Sequence, residues 1–145
     1  KTFTLQNNVK VKDKSGYTAI AKNGIYDLNK KTFTLLDDVR IDKGSNVITA
    51  PKAIYFQQKD EFRFYDDVKV TQDGNTATAL SGVYFIKKNI AELEHNVVIT
   101  KDGNVVRGDK AISDFNTSKS RLVAKKGGRI SGKLIESTLK DKKDK

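Results

Sequence analysis

Phe62-Arg63-Phe64-Tyr65-Asp66-Asp67-Val68-Lys69-Val70, then Gln72-Asp73-Gly74-Asn75, then Ala77-Thr78-Ala79-Leu80-Ser81-Gly82-Val83-Tyr84, is the stretch that decides the fold. Apolar and polar residues alternate on both sides of an Asp-Gly pair, which predicts two antiparallel strands joined by a tight turn, with one dry face and one wet face.

The unit recurs. Its small-residue pair, Ala79 and Gly82, has counterparts at Ala21 and Gly24, Ala50 and Ala53, and Gly108 and Ala111, so the leading member advances by 29 residues each time. Its branched pair, Val68 and Val70, answers to Val9 and Val11, Val39 and Ile41, and Val97 and Ile99, with a first step of 30. The extra residue falls in the Lys12 to Gly16 turn, where a repeat of structural units tolerates insertion. The step from one small residue to the next also shifts the inward phase: Ile48 and Ala50 point in, then Ala53 and Tyr55. That is the behaviour of a strand turning a corner, and Pro51 between the two alanines, unable to donate a ladder hydrogen bond, marks the same place.

No segment carries helical apolar spacing over three turns, so the chain reads as all-β with nine or more strands, several bent. Bent hairpins repeated at this interval stack into a twisted, two-layered open jelly roll rather than a closed barrel. Residues 1–139 are expected to form a single such domain. A fifth, shortened copy begins at Leu122, with Gly127 to Ile130 in place of its second strand and Leu134 and Leu139 as its last apolar residues. Residues 140–145, Lys-Asp-Lys-Lys-Asp-Lys, have nothing to bury and read as a disordered basic tail.

Composition narrows the functional classes. The 145 residues carry a formal net charge of +10, which favours anionic partners without choosing among them. There is no Cys for disulfides or thiolate metal sites, and no Met, so Lys1 is not expected to be a translation start, and any signal peptide or anchor is expected upstream of it. The longest apolar runs, Ala53 to Phe56 and Val83 to Ile86, are far too short for a membrane helix. His95 is the lone histidine, with neither nucleophile nor co-ligands beside it. Asp37-Asp38 and Asp66-Asp67 occupy the repeat position that Asn7-Asn8 and His95-Asn96 fill elsewhere, which identifies polar kink residues rather than an acid-base pair. No catalytic residue, metal site or cofactor is expected. Nucleic acid is not expected either, since no basic-aromatic cluster or recognition helix is present.

The repeated Phe/Leu-x-x-x-Val-x-Val strand, the segment Val105-Val106-Arg107-Gly108-Asp109-Lys110-Ala111 and the ending Gly127-Gly128-Arg129-Ile130-Ser131-Gly132-Lys133-Leu134 together resemble the OstA-like family of lipopolysaccharide-transport proteins, whose LptA-type and LptC-type members share one jelly-roll fold. The ending is most similar to the LptA type. Gly16-Tyr17 through Tyr26-Asp27-Leu28 is similar to the LptC type as well. The resemblance implies a periplasmic, non-enzymatic protein that holds the acyl chains of lipopolysaccharide, its lipid A portion, between the sheets. It further implies head-to-tail self-association and pairing with other jelly-roll proteins of the inner- and outer-membrane machinery. An LptC-type protein would instead be a membrane-anchored partner of the same fold.

The residues that would line such a groove are Leu5, Val9, Val11, Leu35, Val39, Ile41, Ile48, Phe64, Val68, Val70, Leu93, Val97, Ile99 and Val106. Two readings stand open for them. They form an ordinary β core, making the chain a structural β-repeat adaptor with a dry interior. Or, facing the small residues Ala19, Ala21, Ala77, Ala79 and Gly108 with no Trp or Met to fill gaps, they leave a slot for lipid. An acyl chain burying roughly ten methylenes at about 0.8 kcal/mol each gains on the order of 8 kcal/mol by leaving water, so only an apolar slot holds it. Tyr26, Tyr55 and Tyr84 recur at one repeat position and read as packing at the sheet margin with the hydroxyl in water. The lysines scattered from Lys10 to Lys126 read as a solvated face that could meet lipopolysaccharide phosphates.

Overall fold

A computed structural model describes residues 1–123 as eleven strands and, among them, no helix. These are β1 (Thr2–Leu5), β2 (Val9–Lys12), β3 (Tyr17–Ala21), β4 (Asn23–Asp27), β5 (Thr32–Lys43), β6 (Asn46–Phe56), β7 (Glu61–Gln72), β8 (Asn75–Phe85), β9 (Ile90–Lys101), β10 (Asn104–Asp114) and β11 (Lys119–Val123). Every pairing is antiparallel. One continuous sheet runs β1-β4-β5-β6-β7-β8-β9-β10-β11, with β2 on β3 and β3 on β5. Strands β5 to β10 are single bent ribbons of 11 or 12 residues, whereas the first repeat is divided at its bend into β1 and β2, β3 and β4. The second halves of the fifth copy and the terminal tail, with Leu134 and Leu139, lie outside the described residues.

The bend has a local cause. Asn7-Asn8, Asp37-Asp38, Asp66-Asp67 and His95-Asn96 each place two consecutive residues at positive φ, between 54° and 76°. Short side chains that bond locally tolerate this left-handed conformation best, which is why Asp and Asn predominate there. The ladder breaks at the same level: pairing skips from Leu36 to Val39, from Tyr65 to Val68, and across Pro51 from Thr49 to Lys52. Each bend therefore carries a strand out of one layer and into another. Layer A holds β2, β3 and the Val39–Ala50, Val68–Ala79 and Val97–Gly108 portions; layer B holds β1, β4, β11 and the remaining halves.

Small residues beside the bend let the layers close on each other. A Cβ added to Gly82 would stand 2.8 Å from Leu93 Cδ2 in the neighbouring strand and 3.6 Å from Val68 Cγ1 in the facing layer. Ala50, Ala53, Ala79 and Ala111 are buried at equivalent places. At the far side the sheet turns are tight: Asp73 and Gly74, and Asp102 and Gly103, all have positive φ, the requirement of a type I′ hairpin.

Between the layers lies one apolar core, with Phe64, Leu35, Ile41, Ile48, Leu93, Val68 and Val70 essentially sealed from solvent. Each such side chain contributes about 1.5–3 kcal/mol by burial.

Candidate functional site

Twelve of the fourteen stripe residues, all except Leu5 and Val11, are buried in the core between the layers. They are thus brought together as one apolar interior running the length of the array. Val11 is half-buried, and Leu5 is 44% exposed with Phe3 at 48%. The exposure of Leu5, a groove candidate, and of Phe3 has a physical reason. They occupy inner-face rows, paired with Tyr26 and Gly24, but β1 has a neighbour on one side only among the described residues. Leu28, 41% exposed, follows in the adjoining turn, so the β1 end of the interior is an uncovered apolar surface.

The two layers meet a second time along their outer rims, opposite the bends. Tyr17 of layer A packs edge-on against Phe62 of layer B, ring centroids 5.3 Å apart, and Phe62 stacks in turn on Phe64 at 6.2 Å. Farther along, Asn46 Nδ2 donates to Phe115 O at 3.4 Å, Gln72 Nε2 donates to Asp114 O at 3.4 Å, and Ser120 Oγ donates to Gln72 Oε1. The seam is therefore aromatic at one end and hydrogen-bonded at the other. Sequence reasoning missed Phe115, which is buried and stacks on Tyr84 at 5.2 Å, and it missed the buried polar pair Asn46 and Gln72. Both polar residues flank tight turns, a position that ordinarily signals exposure.

The tyrosines also depart from expectation. Tyr84 is fully buried and donates to Asn89 Oδ1 at 2.6 Å; half-buried Tyr55 donates to Asp60 Oδ1 at 3.0 Å; half-buried Tyr26 donates to Gln57 Oε1 at 3.2 Å. The hydroxyls of Tyr55 and Tyr84 are tied to the turn that follows their own strand, and that of Tyr26 to the β6–β7 turn, rather than left to water. Burial holds Tyr84 up at about 12, and burial reinforced by the Asp60 hydrogen bond holds Tyr55 at about 12; Tyr17 is raised as well, chiefly by burial. A phenol that stays protonated in the fold but ionises once unfolded leaves stability unchanged below its ordinary value near 10 and lowers it above. Stability, followed by urea midpoint, is expected to hold to about pH 10 and fall as pH rises from there toward about 12. Tyr84→Phe should make that fall shallower, with tyrosinate absorbance appearing earlier in the unfolded protein than in the folded one.

The polar candidates remain apart. Asp37 accepts from Asn23 Nδ2 at 2.9 Å, and Asp38 pairs with Lys22 at 3.0 Å, both on the exposed outside of the bend. Among the described residues no group of three or more His, Asp or Glu side chains is placed to hold a metal. No described helix is long and apolar enough to cross a membrane.

The fold is thus an antiparallel jelly roll of stacked hairpins with an apolar interior and, among the described residues, an unpaired β1 edge. The family model described as LptA/(LptD N-terminal domain) LPS transport protein matches residues 2–61 and 20–119, and the chain belongs to that family. It is a transport-type protein and not an enzyme. Among solved structures it is similar to LptH of Pseudomonas aeruginosa, the LptA-homologous periplasmic component of the lipopolysaccharide transport device, at 17% identity and a TM-score of 0.63, covering 88% of this chain and 94% of that one. That likeness shows the shared fold. No curated protein matches the chain significantly.

Proposed function

We propose that this chain is a periplasmic lipopolysaccharide-binding bridge: it holds acyl chains of the lipid A portion between layers A and B and passes them along an assembly of jelly rolls joined edge to edge. The observation that carries the reading is the continuous apolar interior, enclosed by two layers and uncovered at the β1 end, in a member of a lipopolysaccharide-transport family. Phe3, Leu5 and Leu28 supply apolar surface at that edge, and β1 supplies unpaired backbone groups, which together suit addition of a strand from another copy or a similar jelly roll. Membership of a lipopolysaccharide-transport family, and the description of the similarly folded LptH as a periplasmic component, support the periplasmic setting.

A photoreactive residue at Val68, inside, and another at Lys69, outside, test the lipid path. Linkage to lipopolysaccharide at position 68 with little at 69 is the expected result. Absence of linkage at both positions in the folded protein would make the interior a dry core and the chain a structural adaptor.

A further inference from the structure

Away from the exposed β1 end, the bends and the seam together restrict how anything reaches the interior. On the bend side the two layers are the same covalent strands, folded through pairs of left-handed residues, and they do not separate without unfolding. On the rim side nothing covalent joins them. The aromatic end of that seam is well packed through Tyr17 and Phe62. The other end rests on two long side-chain hydrogen bonds, from Asn46 and Gln72, each at 3.4 Å, and on Ser120. Asn46 is nine-tenths buried or more, and its Oδ1 has no partner, an energetic cost that parting the seam would relieve by hydration.

A cavity of about 40 Å³ already lies at this end. Gln72 of layer A and Ser118 and Ser120 of layer B form its walls, and it reaches Ala77 and Ile99, of which Ile99 belongs to the apolar stripe. The lips of the seam also differ in charge. The layer B turns (28–31, 57–60, 86–89 and 115–118) carry Lys30, Lys31, Lys59, Lys87 and Lys88, all exposed, against the single carboxylate Asp60. The layer A turns (13–16, 44–45, 73–74 and 102–103) carry Asp13, Asp73 and Asp102 against Lys14, with Lys12, Lys43 and Lys101 at the ends of the strands that enter them. A lysine row beside an apolar slot is the arrangement that meets an anionic headgroup while acyl chains pass inward.

We propose that the seam between the end of β7 at Gln72 and the start of β11 at Ser120 is the portal through which an amphiphile with a phosphorylated headgroup enters the interior, its phosphates meeting the lysine lip of layer B. The proposal rests on the lipid-carrying reading, and its test separates the two. Because the chain has no cysteine, Gln72→Cys with Ser120→Cys gives two unique thiols. A short reducible bis-methanethiosulfonate spacer then ties the lips together, and dithiothreitol releases them, so the same folded molecules serve as their own control.

With fluorescent lipopolysaccharide as the probe, the tied protein should bind at least ten-fold more weakly than the released protein. Equal binding before and after release would overturn the portal and leave the lipid reading standing; no binding by the unmodified chain would overturn the lipid reading itself. A second variant, Lys59→Glu, Lys87→Glu and Lys88→Glu, changes only exposed turn residues. It should slow association with lipopolysaccharide several-fold in low salt and flatten its salt dependence, while association of the dephosphorylated form stays as in the parent. An unchanged association rate would remove the phosphate-meeting role from the lip.

Discussion

Phe64→Ala is expected to destabilise the protein by about 3–5 kcal/mol, the range for emptying a large aromatic from a packed interior. Phe64 is 1% exposed, and its ladder neighbours on the inner face are Ala53 on one side and Gly82 on the other. Neither has a side chain long enough to swing into the space. Phe62, stacked beside it, is held on its far side by Tyr17 and Tyr55, whose rings lie 5.3 and 5.1 Å away. Relaxation is therefore small and the cost should sit toward the upper end of the range. Urea unfolding measures it as a lower midpoint at unchanged slope. Leu80, 46% exposed on the outer face, is the matched control: Leu80→Ala should stay within about 0.5 kcal/mol of the parent. Equal losses at the two positions would mean that the inner row at Phe64 is not a packed core.

Much of this was legible from the residues because it depends on period. Two-residue alternation identifies which side chains share a face, and the repeat of 29 identifies which strands are equivalent, so the inward row Val68, Val70, Ala77 and Ala79 follows without coordinates. The corner was legible too, since Ala50 and Ala53 are both buried and Pro51 between them is exposed at the break in pairing. What alternation does not encode is how far the second layer folds over. Closure of the rims depends on contacts between residues 42 to 69 positions apart, such as Gln72 with Asp114, Tyr17 with Phe62 and Asn46 with Phe115. Those pairs have no shared spacing in the repeat. For the same reason Tyr84 reads as a margin residue in sequence and is buried in space. Leu5 shows the opposite case: its phase is inward, but being covered requires a further strand beside β1.

The pair Asp66-Asp67 tests the corner itself. Both residues are exposed, with φ of 63° and 76°, so changing them removes no buried contact and probes the backbone alone. Left-handed geometry costs an ordinary L-residue about 1–2 kcal/mol, and a β-branched side chain, crowded at Cβ, stands at the upper end. Asp66→Val with Asp67→Val is accordingly expected to lose about 2–4 kcal/mol, read as a fall in urea midpoint. Asp66→Asn with Asp67→Asn should leave the midpoint unchanged, because Asn7-Asn8 adopt the same conformation at the same repeat position, φ 64° and 74°. The comparison also separates conformation from charge: if the carboxylates mattered for themselves, the Asn pair would lose stability and the Val pair no more than that. Since the corner shifts each strand by the register step that turns layer A into layer B, a protein in which the Val pair cost nothing could not owe its two layers to these residues.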